Sequence, residues 1–283
     1  MYPIQIITDS TSDLSLEILQ EKGIAMVPLY VIFGEKDAYR DSIEISTEDL
    51  YKKVDETGEL PKTSAPTPVD FHNVFKPYID EGKSIVYIGL SSQLSATIQN
   101  AKIAASEFPE GSIEIVDSLN LSAGIGLLVL KAVDYVREGL THQEIAAKTR
   151  EMISKMRTYF AIDTLQYLQK GGRCSSIQSF IGNMLKIRPI LKVVEGKILL
   201  DQKTRGKREK TLNTLLQQVL KDSDQIDTDR MIIIHSLAPE DLLYLKEELL
   251  KVLEVKELIA LEAGCVVSSH CGPKTVGIMY NVK

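Results

Sequence analysis

Along the first half of the chain, short runs rich in β-branched and aromatic residues alternate with longer stretches whose apolar residues recur at the spacing of a helical face. Residues 4–7, 26–33, 84–90 and 113–116 read as strands, and residues 14–20, 47–54, 69–79, 95–108 and 123–137 as helices. Strands and helices alternating in this way predict a mostly parallel sheet with crossover helices. Ligands of such sheets gather beyond the carboxyl ends of the strands.

After a further helix at 142–156 the pattern changes. Residues 159–162 read as a strand and 165–169 as a short helix broken by Gly171-Gly172. Residues 189–194 and 197–200 flank Glu195-Gly196, which predicts a β-hairpin. A helix at 211–220, a strand at 231–235, a helix at 239–253 and strands at 258–261 and 275–280 follow. The expected fold class is therefore α/β, with two packed α/β lobes, the first on a mostly parallel sheet and the second on a mixed one. The division falls between residues 1–157 and 158–283. No internal repeat or low-complexity linker lies between them, so close packing of the lobes is expected.

With 283 residues, 44% of them hydrophobic and 25% charged, the chain is long enough for two cores and too apolar for disorder. A formal charge of −6 argues against general nucleic-acid or membrane-surface binding. The most apolar stretch, 121–133, contains Lys131 and is shorter than the roughly 20 apolar residues that span a bilayer. It reads as a buried helix, and no stable membrane insertion is expected. The first residues lack a basic segment followed by an apolar run and a cleavage site, so a cytoplasmic protein is expected. Cys174, Cys265 and Cys271 have neither metal-ligand spacing nor the density of a disulfide framework.

Three hydroxyl-rich segments follow predicted strands: Thr8-Asp9-Ser10-Thr11-Ser12, Thr63-Ser64-Ala65-Pro66-Thr67 and Ser91-Ser92-Gln93-Leu94-Ser95-Ala96-Thr97. Hydroxyls and free N–H groups at a helix start hold an anion, and the same serines also cap helices and turns. For one segment alone both readings stand; three at corresponding ends of one sheet strengthen the ligand reading. Asp9 and Asp13 read as turn or cap residues in preference to acid–base groups. His270, in the polar turn Ser268-Ser269-His270-Cys271-Gly272-Pro273, either donates to a carboxylate or serves the turn. His72 and His235 read as structural.

Gly-x-Ser-x-Gly, His-Glu-x-x-His and the Gly-x-x-x-x-Gly-Lys phosphate loop are all missing from the sequence. Gly124-Ile125-Gly126 lacks the third glycine of a dinucleotide fingerprint, since Val129 stands there, and reads as a helix-packing device. Residues 186–210 carry nine Lys and Arg against three acidic residues. Such a segment is either a solvated face or a dock for an acidic or phosphate-bearing partner.

Taken together, the three hydroxyl segments resemble the signatures of the DegV family. Val27-Pro28-Leu29, Tyr39-Arg40-Asp41, Leu168-Gln169-Lys170-Gly171-Gly172-Arg173, Ile187-Arg188-Pro189-Ile190-Leu191 and His270-Cys271-Gly272-Pro273 follow in that family's order. The resemblance implies a fatty-acid-binding protein that is not itself an enzyme and uses no cofactor or metal. Its implied ligand is a long-chain fatty acid such as palmitate or a C18 acid, held by the carboxylate with the acyl chain buried. Its implied partner is a separate ATP-dependent fatty acid kinase subunit, which forms the acyl phosphate used in phospholipid synthesis. Carried over by position, Thr63 and Ser95 are the implied carboxylate-binding residues, Ser64, Thr97 and His270 their neighbours, and Arg205 the residue for kinase docking. Ala96 departs from the family's usual Gly, and Cys271 and Lys274 from its Thr and Gly. Ile88, Leu94, Ile98, Ile125, Leu128, Phe160, Leu165, Phe180, Ile181 and Leu185 offer apolar wall for an acyl chain. The rival expectation is a hydrolase or transferase acting on an acyl substrate through Ser95, Asp9 and His270, which requires the three within hydrogen-bond reach.

Overall fold

The computed structural model describes residues 3–34, 37–173 and 187–283. The chain runs through β1 (Ile4–Asp9), a 3-10 turn (Ser10–Ser12), α1 (Leu16–Lys22), β2 (Ala25–Val27), β3 (Tyr30–Phe33), β4 (Asp37–Arg40), α2 (Thr47–Thr57) and β5 (Lys62–Ser64). It continues with α3 (Pro68–Asp80), β6 (Ser84–Gly89), α4 (Thr97–Ala105), β7 (Ile113–Asp117), α5 (Ala123–Arg137), α6 (His142–Met152), β8 (Met156–Ala161) and α7 (Gln166–Lys170). The remainder is β9 (Ile187–Val194), β10 (Lys197–Arg205), α8 (Arg208–Leu220), β11 (Ile226–Ser236), α9 (Pro239–Leu250), β12 (Glu257–Glu262), α10 (Cys265–Cys271) and β13 (Thr275–Val282).

Two main sheets carry the fold, as the alternation predicts. The first is parallel, in the order β2-β1-β6-β7; the second is mixed, in the order β10-β9-β8-β13-β11-β12. In the mixed sheet only β11 and β12 pair in parallel. The proposed division between residues 157 and 158 falls within β8.

Strand side chains alternate between faces, and here both faces of each sheet are buried. Ile7, Ile85 and Tyr87 pack with Phe71 and Phe75 of α3 and Ile98 and Ala101 of α4. Their neighbours Ile6, Val86 and Ile88 point the other way, to α5 and to Ile232, Ile234 and Met279 of the mixed sheet. Met231, Ile233, Ile278 and Tyr280 face outward again, under Leu212, Leu215 and Leu216 of α8 and Leu242 and Leu245 of α9. The order is thus helix, parallel sheet, α5, mixed sheet, helix, with α5 the shared filling of both sheets. Its residues Ala123–Leu130 are buried all round, which is why the 121–133 stretch is apolar without helical alternation.

Several expected elements need correction. Residues 26–33 form two strands instead of one. Proline at position 28 ends β2, and β3 leaves the parallel sheet for a small antiparallel one in the order β4-β3-β5. β4 and β5 are short edge strands that periodicity does not reveal. The helix expected from Ser95 begins at Thr97, and α6 stops at Met152. The Glu195-Gly196 hairpin forms as expected between β9 and β10, with φ of +50° and +80° at the two turn residues. The Cys174 position and Lys186 lie outside the described residues.

Gly124 and Gly126 let α5 approach its neighbours. A Cβ on Gly124 would collide with Asn120 Oδ1, and one on Gly126 would lie 3.0 Å from the Ser12 carbonyl. Asn120 Oδ1 itself accepts from Thr158 Oγ1 of β8 (2.8 Å), which ties the loop before α5 to the mixed sheet. Gly124→Ala gains at most about 1 kcal/mol of helix propensity. Overpacking costs typically about 1–3 kcal/mol. We therefore expect the variant to unfold at lower urea concentration than the parent; an unchanged or raised midpoint would show that Asn120 moves aside freely.

Candidate functional site

The parallel strands end against the inner face of the mixed sheet, and a cavity opens there. It is narrow: about 840 Å³ of space between atoms, open solvent at the mouth included, leaves about 90 Å³ for the centre of a water-sized molecule. Thr11, Leu90 and Leu121 follow β1, β6 and β7 in its wall. Phe160, Ile198, Ile234 and Met279 face them from the mixed sheet. Gly277 lies between Phe160 and Ile234 in register, and its missing side chain keeps that floor low: a Cβ would meet Met279 Cε at 3.1 Å and Phe160 Cβ at 3.2 Å.

Polar groups collect at one part of this wall. Thr63 and Ser64 come from the end of β5, Ser95 from the turn before α4, His270 from α10, and Arg173 from the segment after α7. Two loops meet because Asn100 Nδ2 of α4 donates to the Pro66 carbonyl (2.7 Å). Thr67 then caps α3 in a reciprocal capping box with Asp70.

Thr63 Oγ1 lies 2.8 Å from His270 Nε2. His270 Nδ1 is enclosed and has no partner among the described residues. A proton on Nδ1 would be a buried, unsatisfied donor, so the proton belongs on Nε2, which donates to Thr63 Oγ1. Burial, and secondarily the charge of Arg173, lowers the His270 pKa to about 4, so the ring is neutral near pH 7. Gly171 is the residue that lets the ring sit there, since any Cβ at that position would collide with Nδ1. Ser95 Oγ accepts from the Thr97 N–H (3.3 Å) and lies 2.8 Å from Thr97 Oγ1. Thr97 is fully buried and stands behind Ser95, outside the cavity wall. With His270 Nε2 donating to it, the Thr63 hydroxyl keeps its hydrogen for the cavity; the Ser95 hydroxyl does so when Thr97 Oγ1 is the donor of the pair.

Four of the six residues singled out from sequence, Thr63, Ser64, Ser95 and His270, therefore share one wall, and Thr97 supports Ser95. Arg205 is elsewhere, exposed at the end of β10 opposite Ile187. His270 sits in the last turn of helix α10, where a polar loop was expected. Arg173 closes the Leu168–Arg173 motif, and the sequence assigns it no role of its own. Its Nε donates to the Leu94 carbonyl (3.3 Å) and its Nη1 to the Gly171 carbonyl (2.6 Å), which sets a guanidinium at the cavity wall between the Ser95 turn and the His270 support. The Lys-Gly-Gly-Arg step was the available signal. Of the apolar residues named in advance, Leu94 and Phe160 line the cavity, whereas Ile88, Ile98, Ile125, Leu128 and Leu165 belong to the packed cores. Phe180, Ile181 and Leu185 lie outside the described residues.

Asp9 and Asp13 act as caps, as expected. Asp9 accepts from Thr11 N–H and Oγ1, from Tyr87 Oη (2.7 Å) and from Leu90 N–H (2.9 Å). Asp13 accepts from Ser122 Oγ (2.6 Å) and Gly264 N–H (2.9 Å), and Asp41 from the N–H groups of Cys265 (2.7 Å) and Val266 (3.3 Å). Burial raises all three pKa values, most of all that of Asp13. The nucleophilic arrangement of the rival expectation is not assembled: His270 bonds Thr63 in place of Ser95, and the oxygens of Asp9 are engaged within its own loop and β6. Cys271 lines the cavity with a thiol that burial pushes up to about 12. Such a thiol is poor in thiolate and weak as a nucleophile.

Among the described residues, no helix is long and apolar enough to cross a membrane, and no group of three or more His, Cys, Asp or Glu is arranged to hold a metal ion.

A family model for uncharacterised proteins of the DegV family matches residues 3–283. A Thermotoga maritima protein named fatty acid-binding protein is 32% identical over 285 residues, covering 99% of this chain and 98% of its own. Among solved structures, a fatty-acid-binding DegV family protein from Thermus thermophilus superposes with a TM-score of 0.93 at 32% identity, covering 99% of this chain and 100% of that one. A stearic acid-binding protein from Eubacterium ventriosum reaches 0.90 at 26% identity, covering 100% and 99%. With a match over almost its whole length, the chain belongs to the DegV family.

Proposed function

We propose that this protein binds a long-chain fatty acid, with the carboxylate at Thr63, Ser95 and Arg173 and the acyl chain in the cavity between the sheets. The observation that carries the reading is the pairing of an apolar cavity with the Thr63 and Ser95 hydroxyls and the Arg173 guanidinium gathered at one part of its wall. Each buried methylene contributes roughly 0.8 kcal/mol, so a chain the length of palmitate gains on the order of 10 kcal/mol before binding costs. Hydroxyl donors to a carboxylate add roughly 1.5–3 kcal/mol each. Ser64 stands beside Thr63 at the mouth, Thr97 orients Ser95, and neutral His270 orients Thr63. The fatty acid binding of the Thermus thermophilus relative and the stearic acid binding of the Eubacterium ventriosum protein support the ligand class.

The proposed role is carriage and presentation without catalysis. A separate ATP-dependent fatty acid kinase would phosphorylate the head group, with Arg205 as a docking residue. The acyl phosphate would serve phospholipid synthesis in the cytoplasm. Arg205 is exposed and stands outside the cavity wall, which supports a division between holding and docking.

Three measurements test this reading. Ser95→Ala should weaken fatty-acid binding by roughly 1–3 kcal/mol with the fold retained, because one hydroxyl bond to a charge is lost; equal affinities in a calorimetric titration would remove Ser95 from the head-group site. Arg205→Glu should bind fatty acid as the parent does and lose acyl phosphate formation with a cognate kinase, more so at low salt. Parallel loss of both activities would end the proposed division. The third concerns pH. His270 titrates at about 4 against an ordinary 6.5, so the unfolded chain takes up the proton first. Its contribution to stability is complete above 6.5 and is lost as pH falls toward about 4. His270→Gln should cancel up to roughly 3 kcal/mol of that loss, read as a converging gap between the two unfolding curves. A gap that does not change with pH would mean the imidazole is not held neutral.

A further inference from the structure

The turn that carries Ser95 is held from the second sheet. Ser91 is fully buried, and its carbonyl accepts the N–H groups of Leu94 (2.9 Å) and Ser95 (3.2 Å). Its Oγ accepts the Gln93 N–H (3.2 Å) and donates to the carbonyl of Gly196 (3.0 Å). Gly196 is the second residue of the hairpin turn between β9 and β10, at φ +80°. That conformation alone favours glycine, and the site adds a second demand. A Cβ there would collide with Ser91 Oγ and stand 3.0 Å from Gln93 Cγ and 3.2 Å from Leu119 Cδ2. From this turn β10 runs directly into the cavity wall at Ile198.

Arg173 Nε also holds the turn, at the Leu94 carbonyl (3.3 Å), and two further restraints come from the first lobe and act at its start. The Ser91 N–H donates to the Asn120 carbonyl (3.0 Å), and the Ser92 N–H to Asp117 Oδ1 (3.2 Å). Neither fixes the Ser91 side chain. Among the described residues the Gly196 carbonyl alone takes its hydroxyl hydrogen, and with that hydrogen committed the Oγ lone pair is directed at Gln93 N–H, closing the turn that presents Ser95.

We propose that Ser91 and Gly196 form a positioning contact for the head group, through which the hairpin of the mixed sheet sets the direction of the Ser95 hydroxyl. Ser91 does not line the cavity and is a positioning residue, not a ligand-binding one. The inference rests on the fatty-acid reading above, and it predicts selectivity for acid over alcohol from a residue that never touches either.

The test compares palmitate with the primary alcohol of the same chain, by displacement of a fluorescent probe from the full chain. The parent should prefer the acid. Ser91→Ala should lose about five- to tenfold in affinity for palmitate, the value of one hydrogen bond, and keep its affinity for the alcohol. Ser91→Cys keeps the shape with a weaker donor and should fall between; it decides the matter if Ser91→Ala does not fold. Gly196→Ala should reproduce the acid-specific loss, and the double variant should lose no more than either single one, since both break the same contact. An unchanged acid preference, or equal losses for both ligands, would overturn the positioning role and leave Ser91 a structural residue. A parent that binds neither ligand, or both alike, would instead refute the fatty-acid reading, and this inference with it.

Discussion

The molecule is organised around three carboxylates buried without a cation. Asp9, Asp13 and Asp41 form no ion pair among the described residues; N–H and O–H donors reach both oxygens of Asp9 and Asp13 and Oδ1 of Asp41, whose Oδ2 is buried without a partner among the described residues. Taking a carboxylate out of water costs several kcal/mol, and hydrogen bonds to the charge return roughly 1.5–3 kcal/mol each. The donors must therefore be in place together, which makes each aspartate a clamp between segments distant in sequence. Asp9 joins the ends of β1 and β6. Asp13 joins the 3-10 turn to the start of α5 and to Gly264. Asp41 takes the N–H groups of Cys265 and Val266 at the start of α10. Because His270 rides on α10 and Leu90 leads into the Ser91–Ser95 turn, these clamps fix two sides of the cavity.

The same economy explains why a cavity exists beside such dense cores. α5 fills the space between the sheets along most of its length, but its start is held close to the 3-10 turn and Asn120 by the Asp13–Ser122 contact and by Gly124 and Gly126. The strands of the parallel sheet end there, and the facing strand β13 carries Gly277 where a larger residue would reach across. Apolar space remains that no side chain of the described segments occupies, at the carboxyl ends of the strands where the topology leaves loops to line it.

What the sequence discloses follows from which forces are local. Alternation and helical period exposed the two sheets and their covering helices, and Glu195-Gly196 exposed the hairpin, because those signals are written in neighbouring residues. The Thr63, Ser95 and His270 assignments came from ordered motifs, and the structure brings those residues to one wall. Three kinds of feature stayed hidden. β4 and β5 are too short to show a period. His270 was read as part of a loop because Ser268-Ser269 looks polar, yet both serines are buried, with Ser269 donating to the Cys265 carbonyl one turn back (2.7 Å) and Ser268 to the Ala263 carbonyl (3.3 Å). Cavity wall and solid core use the same residues, so Leu94 and Phe160 could not be told from Ile88 and Leu128 without the packing partners. Arg173 was legible as a motif residue only, since its role depends on the carbonyls of Leu94 and Gly171 meeting in space.

On the proposed reading, the chemistry of the head-group wall suits a carrier that must also let go. The acyl chain alone supplies on the order of 10 kcal/mol before costs, and two dedicated salt bridges to the carboxylate would add affinity that release must then overcome. The wall offers hydroxyls with fixed direction, a neutral imidazole behind one of them and a single guanidinium already committed to two backbone carbonyls. Hydroxyl donors discriminate by geometry more than by charge, because a misplaced acceptor loses the bond while a misplaced ion keeps much of its attraction. A carrier built this way depends on how accurately Thr63 and Ser95 are held. The buried apparatus behind them, from the clamping aspartates to Ser91 and Gly196, accordingly involves more residues than the ligand contacts themselves.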